Sequence, residues 1–134
     1  MLKGFEEKTN SITQQEIELA HRLIDAFKKK TSNNPILAHE ICTKVNSTMN
    51  IDFKLTEVRL RRIINYYRVN SILPVVSTKK GYYVSYDTNE IRSCIDSLTQ
   101  RINSMLECTY GLERIIKNEI NGKLEKTNRS LFYK

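Results

Sequence analysis

The pattern of apolar and polar positions predicts a first helix near the amino terminus. It follows Thr13-Gln-Gln-Glu16, in which the Thr and Glu side chains fit a capping box. The basic run Lys28-Lys-Lys30 suits the carboxyl end of a helix, where positive charge is favoured. The apolar positions recur at helical spacing and would form the buried face: Ile17, Ala20, Leu23, Ile24 and Phe27.

A second and a third helix are predicted before residue 70. Asn34 is the expected N-cap of the second, with Pro35 in its first position. Residues 46–53 would form the turn, which is long for a helix-turn-helix, and the third helix would begin near Thr56. The expected apolar face of the second helix is Leu37, Ala38, Ile41, Cys42 and Val45, and that of the third is Leu60, Ile63, Ile64 and Tyr67.

The third helix separates an apolar side from a basic side. At 100° per residue, Val58, Arg62 and Asn65 point almost directly away from its apolar face. Arg59, Arg61 and Tyr66 would lie on the flanks.

Two short strands, residues 73–77 and 82–86, are predicted to form a hairpin around Thr78-Lys-Lys-Gly81. Gly81 would supply the positive φ that a tight hairpin needs. Pro74 has no N–H, so the first strand has to be an edge. Tyr82 and Tyr83 alternate, so one of them should face the core.

From Asp87 the pattern becomes helical again, with Asp87 or Thr88 as the cap. Its apolar residues follow spacings of four and three: Ile91, Ile95, Leu98, Ile102 and Met105. Thr109 occupies one position of this stripe, and Gly111 is a place where the helix could be interrupted. The stripe could dock on its own domain or form the seam of a homodimer. Its regular spacing and its length favour the homodimer.

These elements predict a mainly α fold with a small β-hairpin wing, namely a winged helix-turn-helix followed by a long carboxyl-terminal helical segment. The expected organisation is a polar lead-in over residues 1–12, a winged domain over residues 13–86, a helical extension over residues 87–120 that can dimerise, and a basic tail over residues 121–134.

Charge is concentrated around the third helix and the hairpin. Residues 54–80 hold seven basic residues and one acid, Glu57, so they carry nearly all of the chain's net charge of +7. A concentrated basic surface of this kind is typical of contact with phosphates. The residues expected to bind DNA are Lys54, Thr56, Arg59, Arg61, Arg62, Asn65, Tyr66, Arg68, Lys79 and Lys80.

Residues 13–86 resemble the winged helix-turn-helix proteins of bacteriophages and prophages. The resemblance is carried by Arg59-Leu-Arg-Arg-Ile-Ile-Asn-Tyr-Tyr-Arg68, Leu73-Pro-Val-Val-Ser77 and Gly81-Tyr-Tyr-Val84. It implies a non-enzymatic protein that binds double-stranded DNA and acts in transcription regulation or replication. The third helix would enter the major groove, and the wing would lie along the adjacent backbone or minor groove.

A protein partner is the alternative to DNA, and a metal, a cofactor or catalysis is not expected. The alternative is a winged-helix adaptor whose basic face meets an acidic surface on a host or phage protein. We expect no cofactor and no metal, since His39 and Cys42 lack a second ligand pair, and the sequence has no catalytic motif. The cysteines Cys42, Cys94 and Cys108 suit reduced thiols in the cytoplasm, and no apolar run is long enough for a membrane span.

Overall fold

The computed structural model describes residues 11–120. In chain order its elements are α1 (Gln14–Arg22), α2 (Ile24–Lys28), α3 (Ala38–Thr48), α4 (Glu57–Val69), β1 (Val75–Thr78), β2 (Gly81–Val84) and α5 (Thr88–Ile120). The mainly helical fold with one antiparallel hairpin and a long final helix is confirmed, and its layout is that of a winged helix-turn-helix. The predicted lead-in and basic tail lie outside the described residues, apart from Ser11 and Ile12.

The amino-terminal helix is capped as predicted but divided in two. The Thr13 hydroxyl accepts from the Glu16 N–H at 3.1 Å, and the Glu16 carboxylate accepts from the Thr13 N–H at 3.0 Å. At Leu23 the backbone N–H is shared between the carbonyls of Leu19 and Ala20, at 3.0 and 3.3 Å. This tightened turn separates α1 from α2, where the sequence predicted one continuous helix.

The second predicted helix begins later than expected, at Ala38 instead of Pro35. The Asn34 side chain accepts from the backbone N–H of Thr31 at 2.7 Å, so it caps a turn and not a helix. The N–H of Leu37 donates to the Glu40 carboxylate at 3.0 Å, which satisfies the true amino terminus of α3. Residues 34–36 are thereby left free to run in an extended conformation.

Ile36 uses that conformation to pair with the hairpin. Its N–H donates to the carbonyl of Tyr82 at 3.0 Å, and its carbonyl accepts from the Tyr82 N–H at 2.8 Å. A Cβ at Gly81 would lie 2.3 Å from the Ile36 carbonyl oxygen. Gly81 therefore has two roles, because it also adopts the predicted positive φ, +126°.

The long connection before α4 is fixed by one side chain. The helix α3 continues to Thr48, three residues beyond the predicted start of the turn. The Asn46 amide then donates to the Leu55 carbonyl at 3.0 Å and accepts from the Leu55 N–H at 2.8 Å. These two bonds substitute for backbone pairing and position the start of α4. The predicted start near Thr56 is confirmed, and Thr56 is the N-cap of the helix.

The hairpin is paired from Val75–Val84 to Thr78–Gly81, so Lys79 and Lys80 alone form its tip. Tyr83 is the buried tyrosine of the pair, and Tyr82 is half-buried against the core. Burial, and after it the nearby Glu90 carboxylate, raises the pKa of Tyr83. The start of α5 therefore packs close to the hairpin, with Glu90 accepting a hydrogen bond from the Ser85 hydroxyl.

The chain divides into two compact units between Cys94 and Ile95, within α5. The first unit extends past residue 86 because the first turns of α5 contact the hairpin and α4. Its core is formed by all the preceding elements, with Leu19, Leu55, Leu60, Ile63, Ile64 and Tyr67 almost completely inaccessible. In the second unit, the described residues belong to α5, and α5 has no buried residue. Gly111, considered as a possible interruption, does not break the helix, which is continuous from Thr88 to Ile120.

Candidate nucleic-acid interface

The helix α4 has three sides with different surroundings. The core side is the predicted one, formed by Leu60, Ile63, Ile64 and Tyr67, all of them buried. The remaining surface divides between a side that packs on α1 and a side that is open to solvent. The sequence pattern distinguished only a core side and a basic side.

The side that packs on α1 carries Arg62, which was expected to point to solvent. Its Nε donates to Oε1 of Glu16 at 3.1 Å, and Nη2 donates to Oε2 of Glu16 at 2.8 Å. The Arg62 side chain retains 18% of its exposure, and the Glu16 side chain retains none. The orientation expected from the helical wheel is therefore wrong, because Glu16 lies within reach of the long arginine side chain.

Arg59 shares the same carboxylate. Its Nε lies 3.6 Å from Oε2 of Glu16, and its guanidinium carbon lies 4.5 Å from the centre of the Phe53 ring. Nη1 of Arg59 is buried without a hydrogen-bond partner. The arrangement is a cluster of two cations and one anion, in which an aromatic face also contacts Arg59.

The cluster changes the acidity of its members. Burial alone would raise the pKa of Glu16, but the hydrogen bonds from Arg62 and from the Thr13 backbone, with the charges of both arginines, lower it overall. The hydrogen bond to Glu16 raises the pKa of Arg62. Glu16 is therefore held as a carboxylate, and it keeps both guanidinium groups against α1.

Two further predicted DNA contacts are held by the domain itself. The Tyr66 hydroxyl lies 2.9 Å from Nε2 of His21, and the two rings meet edge to face. Nε of Arg68 donates to the carbonyl of Val75 at 3.0 Å, and Nη2 lies 3.4 Å from the Ser77 hydroxyl. Tyr66 thus connects α4 to α1, and Arg68 connects α4 to β1.

The open side of α4 carries the remaining predicted residues. Arg61 and Asn65 are exposed there, one turn apart, with Val58 one turn before them. Lys54 is exposed just before the helix. Thr56 is exposed as well, but its hydroxyl accepts from the Arg59 N–H at 3.2 Å and so serves first as the N-cap.

The hairpin tip supplies two more cations, Lys79 and Lys80, and both are exposed. The turn between the strands is tightened by the Thr78 hydroxyl, which accepts from the Lys80 N–H at 3.2 Å. Of the ten predicted DNA-binding residues, four make tertiary contacts, namely Arg59, Arg62, Tyr66 and Arg68, and Thr56 caps α4. The other five are exposed: Lys54, Arg61, Asn65, Lys79 and Lys80.

Sequence reasoning missed the residues that hold these four side chains. Glu16 was recognised only as part of a capping box, and His21 and Phe53 had no assigned role. A buried N3 glutamate looks the same in sequence as an exposed one, so no local signal could have revealed its partners. The close spacing of Arg59 and Arg62 at i and i+3 was the one available hint of a shared anion.

Other chemistry is not evident in residues 11–120. No three metal-ligating side chains converge in this range, and Cys42, Cys94 and Cys108 are free thiols. No helix in the described part of the chain is long and apolar enough to cross a membrane.

In comparisons with known proteins, the chain matches no family model, no curated protein and no solved structure. The resemblance to phage and prophage winged-helix proteins therefore stays a prediction, which is based on the sequence of residues 59–68, 73–77 and 81–84.

Proposed function

We propose that this protein binds double-stranded DNA through the open side of α4 and the tip of the hairpin. The observation that carries the proposal is a set of four exposed cations: Lys54 just before α4, Arg61 on α4, and Lys79 and Lys80 at the hairpin tip. Glu57 is the one acid in this stretch of the chain. None of the four takes part in an ion pair within the described residues.

The side chains on the open side of α4 suit contact with base edges. Arginine pairs with guanine through two hydrogen bonds, the asparagine amide can do the same with adenine, and an exposed valine can contact the methyl group of thymine. Arg61, Asn65 and Val58 provide these three groups on adjacent turns. Lys54, Lys79 and Lys80 would contact phosphates and fix the register without reading sequence.

The tertiary structure reduces the number of expected phosphate contacts. The sequence suggested about five per subunit, which corresponds to a slope of log affinity against log salt near −4 to −5. With Arg68 held by β1 and Arg61 assigned to base edges, the three lysines remain as phosphate contacts, so we expect a slope of about −3. A fluorescence-anisotropy titration of a random duplex between low and moderate salt measures this slope.

The matched control for this titration is an exposed cation elsewhere on the domain. Arg61→Ala should weaken binding at every salt concentration, whereas Lys28→Ala at the end of α2 should change it little. If the unmodified protein does not bind a random duplex at low salt, the proposal is wrong. Equal effects of the two substitutions would show non-specific attraction to the whole surface.

A protein-binding adaptor is the second candidate, and exposed valines favour it. Val58 is 51% exposed and Val69 is 81% exposed, both on α4. Selection from a random duplex library separates the candidates. An enriched motif that is lost with Asn65→Ala supports a sequence-reading role, such as transcription regulation or replication initiation. Salt-sensitive binding without any motif supports the adaptor.

A further inference from the structure

The helix α5 presents a continuous apolar side to solvent. Ile102, Met105 and Leu112 are between 56% and 69% exposed, although each is a large apolar residue. The exposed apolar residues of α5 are Ile95, Ile102, Met105, Leu106, Tyr110, Leu112, Ile115, Ile116 and Ile120. A side of this size on one helix indicates a partner.

The spacing of these residues fits a heptad seam. Ile95, Ile102, Thr109 and Ile116 fall on a positions. The d positions are Ile91, Leu98, Met105, Leu112 and Glu119. A two-stranded seam formed by two copies of this helix is self-complementary, so a second copy is the partner that the pattern itself specifies.

Charge decides between the two possible directions of such a pair. In a parallel, in-register pair each residue of the seam meets its own copy, so Glu119 would face Glu119 of the partner subunit at a d position. Arg92 would face Asp87, which precedes the helix and already accepts a hydrogen bond from the Asn89 N–H at 2.8 Å, and Glu113 would face Cys108. The parallel arrangement therefore brings two like charges together inside the seam, and its one kind of opposite-charge contact is with Asp87, whose carboxylate already caps the start of the helix.

The antiparallel arrangement separates the like charges and gives opposite-charge contacts within the helix. When Ile102 faces Met105 of the partner subunit, Ile95 faces Leu112 of the partner subunit, and every apolar layer is filled. In this register Arg92 meets Glu113 of the partner subunit, and by symmetry the contact occurs twice. Glu119 then lies opposite Thr88 of the partner subunit, away from its own copy.

Thr109 is the one polar residue of the seam between Ile91 and Ile116, and its surroundings allow the antiparallel register. Its hydroxyl donates to the carbonyl of Met105 in the same helix at 3.0 Å. Because that bond already satisfies the hydroxyl, Thr109 can pack against Leu98 of the partner subunit without a buried, unpaired donor. The hydroxyl therefore does not need to meet Thr109 of the partner subunit to find a hydrogen-bond partner.

We propose that the protein forms a homodimer in which α5 pairs with α5 of a second copy in the antiparallel direction, with Arg92 opposite Glu113 of the partner subunit. Burying a large aliphatic side chain is worth about 1.5–3 kcal/mol, which at about 25 cal/mol per Å² corresponds to about 60–120 Å² of apolar surface. The exposed residues at and beside the seam, which exclude Tyr110 at a b position, thus provide several hundred Å² per helix. This is of the order of the ~800 Å² that each partner of a stable interface buries. This dimer is independent of whether the domain binds DNA.

A charge exchange read by sedimentation equilibrium tests the dimer and its direction together. Arg92→Glu and Glu113→Arg should each weaken the dimer about 5- to 30-fold, because two ion pairs are replaced by two repulsive contacts. The double variant should return to within about threefold of the unmodified protein. Arg92 and Glu113 are 21 positions apart on one helix, so a rescue cannot come from a contact within one chain. A monomer at about 10 µM, or no rescue, overturns the proposal.

Cross-linking between two differently tagged chains checks the direction separately. In a background with Cys94 and Cys108 changed to serine, one chain carries Ile95→Cys and the other carries Leu112→Cys. After subunit exchange and oxidation, the antiparallel dimer should yield disulfide-linked heterodimers, because residues 95 and 112 share a layer. Linked homodimers would instead show the parallel arrangement and overturn the proposed direction.

Discussion

Arg62 and Glu16 are 46 residues apart in the chain, yet they form a two-point ion pair between α4 and α1. The Glu16 side chain is fully buried, and the Arg62 side chain is about four-fifths buried. An ion pair with this geometry fixes the angle between two helices more than it adds net stability, because removing two charges from water is costly. It also removes from the open surface an arginine that the sequence assigned to DNA.

Replacing Glu16 with Gln should destabilise the domain. The variant leaves the Arg62 and Arg59 guanidinium groups beside a neutral amide, and the loss of one partner of a buried pair costs roughly 2–4 kcal/mol. Urea unfolding followed by circular dichroism measures the change. Glu18→Gln is the matched control, since Glu18 is exposed on the same helix, and it should change the free energy of unfolding by less than about 0.5 kcal/mol. Equal effects would mean that the ion pair is not structural.

Stability should also depend on pH through Glu16. Its pKa in the folded domain lies below the ordinary value of 4.5, so the carboxylate binds its proton more weakly when folded than when unfolded. The stabilisation that ionised Glu16 gives to the fold is therefore complete above the pKa of Glu16 in the unfolded chain. It is lost as the pH falls through the pKa of Glu16 in the folded domain. Urea midpoints measured between pH 7 and pH 3 should fall in the acid range for the unmodified protein. The decline should be shallower for Glu16→Gln, and parallel curves would contradict this assignment.

Arg61 and Arg62 should separate DNA binding from stability. Arg61→Ala removes an exposed side chain, so it should lower DNA affinity about tenfold while the free energy of unfolding changes by less than about 0.5 kcal/mol. Arg62→Ala should destabilise the domain, because Glu16 would keep a buried charge with only Arg59 nearby. Anisotropy and urea unfolding on both variants measure the two quantities. A larger direct loss of DNA affinity for Arg62→Ala, in protein that is still folded, would restore Arg62 to the interface.

The hairpin tip should contribute to the salt dependence of DNA binding. Changing both Lys79 and Lys80 to Ala removes two exposed cations, so the slope of log affinity against log salt should become less steep by about 2. Because the tip makes no base contacts in this proposal, any preferred sequence should be unchanged. An unaltered slope would show that the hairpin does not contact phosphates.

Gly81→Ala should be among the most destabilising single substitutions. The new Cβ would lie 2.3 Å from the Ile36 carbonyl oxygen, at a residue with φ of +126°. We expect a loss of about 3 kcal/mol or more, or failure to fold. Gly111→Ala is the matched control, since a Cβ there meets no atom closer than 3.7 Å. That change should stabilise α5 by about 0.5–1 kcal/mol, because alanine favours the helix.

The sequence by itself predicted the features that depend on neighbouring residues. The capping box at Thr13 and Glu16, the helix start near Thr56 and the positive φ at Gly81 each involve groups within a few positions of one another. Interactions of this kind can be predicted from the sequence, because the two partners are always close in the chain. The buried faces of α3 and α4 were predictable for the same reason, since each face follows the helical period. In α1 the prediction was partly wrong, because Leu19 is buried and Ile17 is not.

The tertiary structure decided everything that depends on partners distant in the chain. Ile36 was predicted to be helical, but it pairs with Tyr82 on the edge of β2 that β1 leaves free. This pairing is possible because Gly81 has no Cβ to meet the Ile36 carbonyl. Arg62 has the sequence environment of a solvent-facing residue, and only the packing of α1 beside α4 brings Glu16 within 2.8 Å of it. A helical wheel gives the direction in which a side chain leaves the backbone. Which groups lie along that direction is determined by the packing of the elements, and an arginine long enough to reach a buried carboxylate binds it.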